Sequence, residues 1–156
     1  MTDVHSKEQR SHNMSRIRSG DTRPELIVRS LVHRLGARFR LRVKSLPGTP
    51  DLVFPGRRKV IFVHGCFWHT HQNCKLSRMP STRSDFWSKK LTANVARDKR
   101  ITDELLTLSW RVLVIWECHV RANRNTSELQ VQLSDWIRGN DLMGDYPSRT
   151  REDSAS

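Results

Sequence analysis

Between Cys66 and Cys74 the chain reads Cys-Phe-Trp-His-Thr-His-Gln-Asn-Cys, and a further thiol follows at Cys118. Thiolate sulfur and imidazole nitrogen are the ligands of zinc, which takes four of them in a tetrahedron. Cys66, His71, Cys74 and Cys118 make such a set and leave His69 available for other chemistry. Because protein groups would fill every position, with none left for water, the expected ion is a structural Zn2+ that fastens a loop lacking an apolar core of its own. An odd cysteine count, 3 in all, argues against a disulfide framework and for thiolate chemistry in a reducing compartment. The plainer alternative makes Cys118 a small buried hydrophobe and the histidines ordinary loop residues.

A second group offers oxygen. Asp51 follows Pro50 and opens the apolar run Leu52-Val53-Phe54, and Glu25 stands earlier in a helical segment. A strand-opening aspartate after a glutamate-bearing helix is the leading half of the pattern in nucleases of the restriction-endonuclease type. There the aspartate holds Mg2+ against the scissile phosphate, since a hard cation wants oxygen ligands. Such nucleases continue with an acid, any residue and lysine on the next strand, whereas this chain has Val60-Ile61-Phe62-Val63. The missing acid points to a main-chain oxygen, the Val63 carbonyl, with water completing the shell. The missing lysine leaves the base role to His64 or His69, whose ordinary pKa suits proton transfer near neutrality. Against these readings, Asp51 in isolation is a turn residue before a strand, and a capping box already accounts for Glu25.

The elements that must position these groups follow from periodicity. Thr22-Arg23-Pro24-Glu25 reads as a capping box with proline in the first turn, and Leu26, Ile27, Leu31, Val32 and Leu35 recur at helical spacing until Gly36. Phe39, Leu41 and Val43 alternate with charged residues, as in a half-buried strand. Residues 51–54 and 59–63, joined by Pro55-Gly56-Arg57-Arg58, predict an antiparallel hairpin. Pairing Phe54 near Lys59 sets Asp51 beside Phe62 and Val63. An amphipathic pattern from Ser84 to Leu108 predicts a long helix, and Arg111 to Trp116 a strand covered on both faces. Strand, helix and strand make a crossover whose two strands are parallel, so the chain ends that carry Cys66 and Cys118 share one edge. Leu129, Leu133, Trp136 and Ile137 predict a last helix.

The fold class expected is α/β: a restriction-endonuclease-like core with a central mixed β-sheet flanked by helices and a structural zinc site. Residues 1–20, with Arg10, Arg16 and Arg18, read as a basic arm suited to phosphates; residues 21–138 as a single endonuclease domain; residues 139–156 as a flexible tail. Lys+Arg of 28 against Asp+Glu of 16 gives a formal charge of +12, more than solubility requires, so a polyanion is the expected partner. The charge is spread along the chain without a basic amphipathic anchor, and the N-terminus is polar. Membrane attachment and secretion are therefore not expected, and the protein is placed in the cytosol.

Arg10-Ser11-His12-Asn13-Met14-Ser15-Arg16-Ile17, Asp21-Thr22, Leu46-Pro47-Gly48, Pro50-Asp51, Phe62 to His69, Phe86-Trp87, Asn94, Arg97-Asp98 and Trp110 through Cys118 occur in this order. In that arrangement the chain resembles the very-short-patch repair (Vsr) endonucleases over roughly residues 5–138, and His64-Gly65-Cys66-Phe67-Trp68-His69 is the most specific part. The resemblance implies a Mg2+-dependent nick on the 5′ side of the thymine in a T:G mismatch, of the kind left by deamination of 5-methylcytosine. By the same resemblance Asp51 and the Val63 carbonyl hold Mg2+, His69 serves as general base or assists the attacking water, and Glu25 and His64 support them. Family members can carry threonine where this chain has Val63, which leaves the carbonyl but removes a hydroxyl. Phe67, Trp68 and Trp87 resemble the family's aromatic wedge from the major groove, and Met14 the residue that enters from the minor groove. Phe86, Trp110, Trp116 and Trp136 are assigned to packing. Implied partners are double-stranded DNA with a T:G mismatch and mismatch-repair recruitment factors, for a monomer in the bacterial cytoplasm at the nucleoid. Two rival readings are a noncatalytic zinc-stabilised DNA-binding module and a general nuclease of the same fold.

Overall fold

The structure, a computed structural model, describes residues 22–147. Helix α1 (Arg23–Arg34) starts at Thr22, whose hydroxyl accepts the Glu25 N–H at 3.5 Å, with Pro24 in the first turn. Leu35 closes the last turn, and Gly36 follows at φ +77°, a left-handed stop that glycine adopts at little cost.

Five strands follow: β1 (Arg40–Leu41), β2 (Leu52–Phe54), β3 (Lys59–His64), β4 (Arg111–Trp116) and β5 (Met143–Tyr146). They lie in chain order in one mixed sheet, antiparallel through β3 and parallel from β3 to β5. The β2–β3 hairpin pairs Phe54 with Lys59 and Leu52 with Ile61, which brings Asp51 level with Phe62. The crossover from β3 to β4 runs through α2 (Ser84–Thr107), and the parallel register ends on the pair His64 and Trp116. Helices α3 (Glu117–Asn123) and α4 (Glu128–Arg138) complete the chain order before β5.

Alternation along the strands sends side chains to two faces. Leu52, Phe54, Ile61, Val63, Leu113 and Ile115 pack on α1 and α4 through Val28, Val32, Leu129, Leu133 and Trp136. Val53, Val60, Phe62 and Val112 pack on Leu105 of α2. Burial on both faces explains why the central strands read as continuous apolar runs. No helix among the described residues is long and apolar enough to cross a membrane.

The end of the sheet at the β2–β3 turn is a set of helix caps. Lys59 is buried, and its Nζ donates to the carbonyls of Trp136 (2.8 Å), Ile137 (2.6 Å) and Gly139 (2.8 Å), at the C-terminus of α4. Arg57 donates to the Ile137 carbonyl, and Arg58 to those of Leu108 and Ser109 beyond α2. A cation at a helix C-terminus meets both the orphan carbonyls and the negative end of the helix dipole. Desolvation lowers the Lys59 pKa, followed by the charges of Arg111 and Arg57.

Several expectations are corrected. The alternation over residues 38–43 yields only the two-residue β1, because Arg42 takes φ +46°, outside the extended region. The stretch beginning at residue 139 is not all tail, since Met143–Tyr146 form β5 on the edge of β4. Gly144 permits that closeness: a Cβ there would lie 2.7 Å from Leu113 Cδ1 and 3.1 Å from the Trp136 indole. Helix α3, which begins directly after β4, was not expected. Phe86 is 45% exposed rather than part of the core. The arm over residues 1–20, Met14 included, and residues 148–156 lie outside the described residues.

Candidate active site

The opposite end of the sheet gathers the polar groups. Asp51 precedes β2, and its Oδ2 accepts the Val63 N–H at 2.7 Å, the contact that the hairpin register makes available. Glu25, in the first turn of α1, is 5% exposed and close enough to raise the Asp51 pKa. Burial is the larger cause and the Glu25 charge the next; together they push the Asp51 carboxyl up to about 7 in spite of the Val63 N–H. A shielded carboxyl with a second one beside it is a suitable seat for a hard divalent cation. Asp51, Glu25 and the Val63 main chain thus fit such an ion.

His64 ends β3 and is buried, and its Nδ1 has no hydrogen-bond partner among the described residues. Burial, and then the neighbouring His69, drive its pKa well below the ordinary value, so it stays neutral at physiological pH. The His69 ring stacks on it with centroids 3.7 Å apart and planes within 5°. His69 Nδ1 meets Asp98 Oδ2 at 2.6 Å. That contact fixes the ring and leaves Nε2 as the nitrogen able to exchange a proton.

The role of Asp98 is not evident from the sequence, where it stands only within Arg97-Asp98. Its signal was the spacing of Lys90, Asn94, Arg97, Asp98 and Ile101, which places them on one face of α2, where they line the cleft. Asn94 Nδ2 donates to the Trp68 carbonyl at 3.0 Å and so ties the loop after β3 to α2. The cleft, about 870 Å3 in volume, is lined by Asp51, Glu25, His64, His69 and Asp98 among others. On its other wall Gly48, at φ +73°, packs so close to α2 that a Cβ would lie 2.5 Å from Ile101 Cγ2.

The thiol and imidazole cluster is a separate group beside the cleft. Ligand atoms of Cys66, His71, Cys74 and Cys118 all lie within 4.8 Å of one another, spacing that suits a tetrahedral zinc. Cys66 is fully buried, and burial raises its thiol pKa, as it does for Cys118. The loop that carries three of the four turns through Thr70 at φ +51° and Asn73 at φ +55°, and His71 N–H donates to the Cys66 carbonyl at 2.9 Å. The fourth, Cys118, comes from the first turn of α3, and its N–H points to Cys66 Sγ at 3.4 Å. His69, two residues from His71, faces the other way, toward Asp98.

Phe67, Trp68 and Trp87 form one aromatic cluster, with centroids 5.1–5.9 Å apart and rings mutually inclined. Phe86 adjoins Trp87 at 5.2 Å and carries the Arg83 guanidinium over its ring at 4.6 Å. Lys90 Nζ lies 5.6 Å from the Trp68 ring. Partly exposed aromatics among cations form a surface on which unstacked bases can lie.

A family profile described as DNA mismatch endonuclease Vsr matches residues 2–76. The type II nicking enzyme V.XorIIP of Xanthomonas oryzae is 54% identical over 120 residues, which cover 77% of this chain and 88% of that protein. The DNA mismatch endonuclease Vsr of Escherichia coli is 45% identical over 141 residues, 89% of this chain and 90% of that protein. The type II nicking enzyme V.NmeAIP of Neisseria meningitidis is 38% identical over 121 residues, covering 78% and 86%. Likeness at this level over most of each protein, carried by a chain whose carboxyl, imidazole and thiol groups converge on one sheet edge, means that the chain belongs to the Vsr family of DNA mismatch endonucleases.

Proposed function

We propose that this protein is a DNA mismatch endonuclease that cuts one strand on the 5′ side of the thymine in a T:G mismatch and so starts very-short-patch repair. The observation that carries the reading is the joint placement of Asp51, Glu25 and the His69–Asp98 pair in a cleft flanked by Phe67, Trp68 and Trp87. The mixed sheet with helices on both faces is consistent with a restriction-endonuclease-like core.

In this reading Asp51 and the Val63 carbonyl hold Mg2+, and Cys66, His71, Cys74 and Cys118 hold a structural Zn2+. Bound Mg2+ supplies charge neutralisation and polarisation of the phosphate oxygens. His69, oriented through Nδ1 by Asp98, takes the proton of the attacking water at Nε2, and Asp98 stabilises the imidazolium that results. His64, neutral and stacked on His69, fills the space behind it and excludes water. Glu25 keeps the Asp51 side of the cleft negative and so favours the cation.

Unstacking a base step costs a few kcal/mol, least at a mismatch, and the aromatic cluster can recover that cost by stacking. Met14 is proposed to enter from the opposite groove. The positive charge of the chain supports the affinity for DNA that does not depend on sequence. A monomer acting on nucleoid DNA in the bacterial cytoplasm, with recruitment by mismatch-repair factors, completes the reading. The test is a nicking assay with mapped ends on matched, T:G-mismatched and RNA duplexes, each with and without Mg2+. Equal cutting of all three would defeat it in favour of a general nuclease.

A further inference from the structure

Trp116 contacts three histidines and an aspartate at the catalytic end, and packing alone does not account for them. It closes β4, level with His64 in the parallel register, so the two side chains share the face of the sheet that α2 covers. Its indole stacks on His71 at 4.1 Å with planes within 10°, meets His64 edge-on at 5.3 Å, and lies 6.5 Å from His69. One ring therefore touches a member of the zinc-type cluster on one side and the stacked imidazole pair on the other. The indole has one polar atom, and Nε1 donates to Asp145 Oδ1 at 2.7 Å. Asp145 lies on β5 and pairs with Val114, two residues before Trp116 and on the same face, so its carboxylate reaches the indole along the sheet. Trp116 is 9% exposed, and the rings on both sides leave it little room to turn.

We infer that Trp116 is a positioning residue that sets the His64–His69 pair against the cysteine and histidine cluster, and that Asp145 holds Trp116 in that pose. The edge strand β5, far from Asp51 in the sheet order, thereby becomes part of the support of the cleavage site. Asp98 anchors His69 at Nδ1, and the stack on His64 sets the plane of the ring. The stack holds that plane only if His64 is itself immobile, and His64 rests against Trp116 at 5.3 Å and Phe62 at 5.7 Å. Displacing a group that must meet the attacking water by an ångström can cost about 100-fold in rate.

The inference rests on His69 acting in cleavage, so His69→Ala is included to test that reading separately. The experiment measures single-turnover nicking of a T:G-mismatched duplex, affinity for the same duplex, zinc content of the pure protein, and the ring-proton NMR signals of His64, His69 and His71. In Asp145→Ala the rate is expected to fall roughly 10- to 100-fold, with affinity changed by no more than about twofold, full zinc content, and all three sets of imidazole signals displaced. Asp145→Asn, whose amide oxygen can accept the same hydrogen bond, restores rate and signals. Trp116→Phe loses the donor but keeps a ring; it should match Asp145→Ala, and the double variant should be no worse than either, because both act through one contact. Asp145→Ala and Trp116→Phe proteins that are folded, zinc-loaded and as fast as the original would overturn the inference. So would a lowered melting temperature with no change in rate below it. If His69→Ala nicks at the original rate, the reading of the site fails instead.

Discussion

The two ends of β3 are built on opposite terms. At one end Lys59 is buried with three carbonyl acceptors around its ammonium, and Arg57 and Arg58 beside it cap the same and a neighbouring helix. At the other end His64 is buried with an Nδ1 that has no partner among the described residues, and Asp51 is pushed up to about 7 by burial and by Glu25. Six residues of one strand separate a site where a buried cation is ringed by acceptors from one where a carboxyl is held against its ionisation. A cation ringed by carbonyls holds elements together, whereas a carboxyl whose ionisation is opposed by burial stores binding capacity at a cost in stability. Hence the positive charge of this chain is not all directed at DNA: the cations of the β2–β3 turn are occupied by helix ends.

The largest expected effect tests the Asp51 end. Asp51→Asn keeps an oxygen for the Val63 N–H but cannot ionise, and nicking is expected to fall by at least about 1,000-fold. The same change should stabilise the metal-free protein. The folded-state pKa is about 7 against an ordinary value of 3.8. The cost of ionising Asp51 is therefore absent below pH 3.8, accumulates as pH rises, and is complete above 7. Thermal melting at pH 8 without divalent ions should show Asp51→Asn higher by roughly 3–6 °C, about 1–2 kcal/mol in a domain of this size. At pH 3.5 the gain should vanish. Equal melting temperatures at pH 8 would remove the stored cost from the comparison.

His69→Ala comes next, with a loss of about 100- to 10,000-fold in single-turnover rate and unchanged affinity for the mismatched duplex. An equal loss of affinity would recast His69 as a binding residue.

Much of this architecture is legible in the sequence because periodicity reports burial. The hairpin register, the long α2 and the parallel crossover all come from apolar spacing, and they suffice to bring Asp51, Val63 and Cys118 to one edge. What escapes is carried by single residues. Arg42 ends β1 through one dihedral angle, and Gly144 reads as a breaker although it lets β5 close on Leu113 and Trp136. The Asp98–His69 contact joins a helix to a loop 29 residues earlier, and no local pattern encodes it. Phe86 fits a helical apolar spacing yet faces solvent beside Trp87, because a surface aromatic cluster has the same period as a core stripe.

The Lys59 end predicts the reverse of Asp51. Lys59→Met leaves the carbonyls of Trp136, Ile137 and Gly139 without their donor and should cost about 2–4 kcal/mol, read as a melting temperature lower by roughly 5–10 °C. Nicking per folded molecule should not change, and a loss of rate in fully folded protein would break the division between the two ends. Arg58→Ala is the smallest case, about 0.5–1 kcal/mol, since the guanidinium caps α2 from the surface and covers Trp110 at 4.9 Å. Denaturant midpoints would resolve it, with an unchanged nicking rate as the companion result.

The most direct measurement of the central claim is single-turnover cleavage of an end-labelled duplex carrying one T:G mismatch, with the nick mapped to the nucleotide and the matched duplex alongside. A single Mg2+-dependent nick on the 5′ side of the mismatched thymine is expected, absent from the matched duplex and abolished in Asp51→Asn. Cutting of both duplexes at the same rate, or a nick that survives Asp51→Asn, would contradict it.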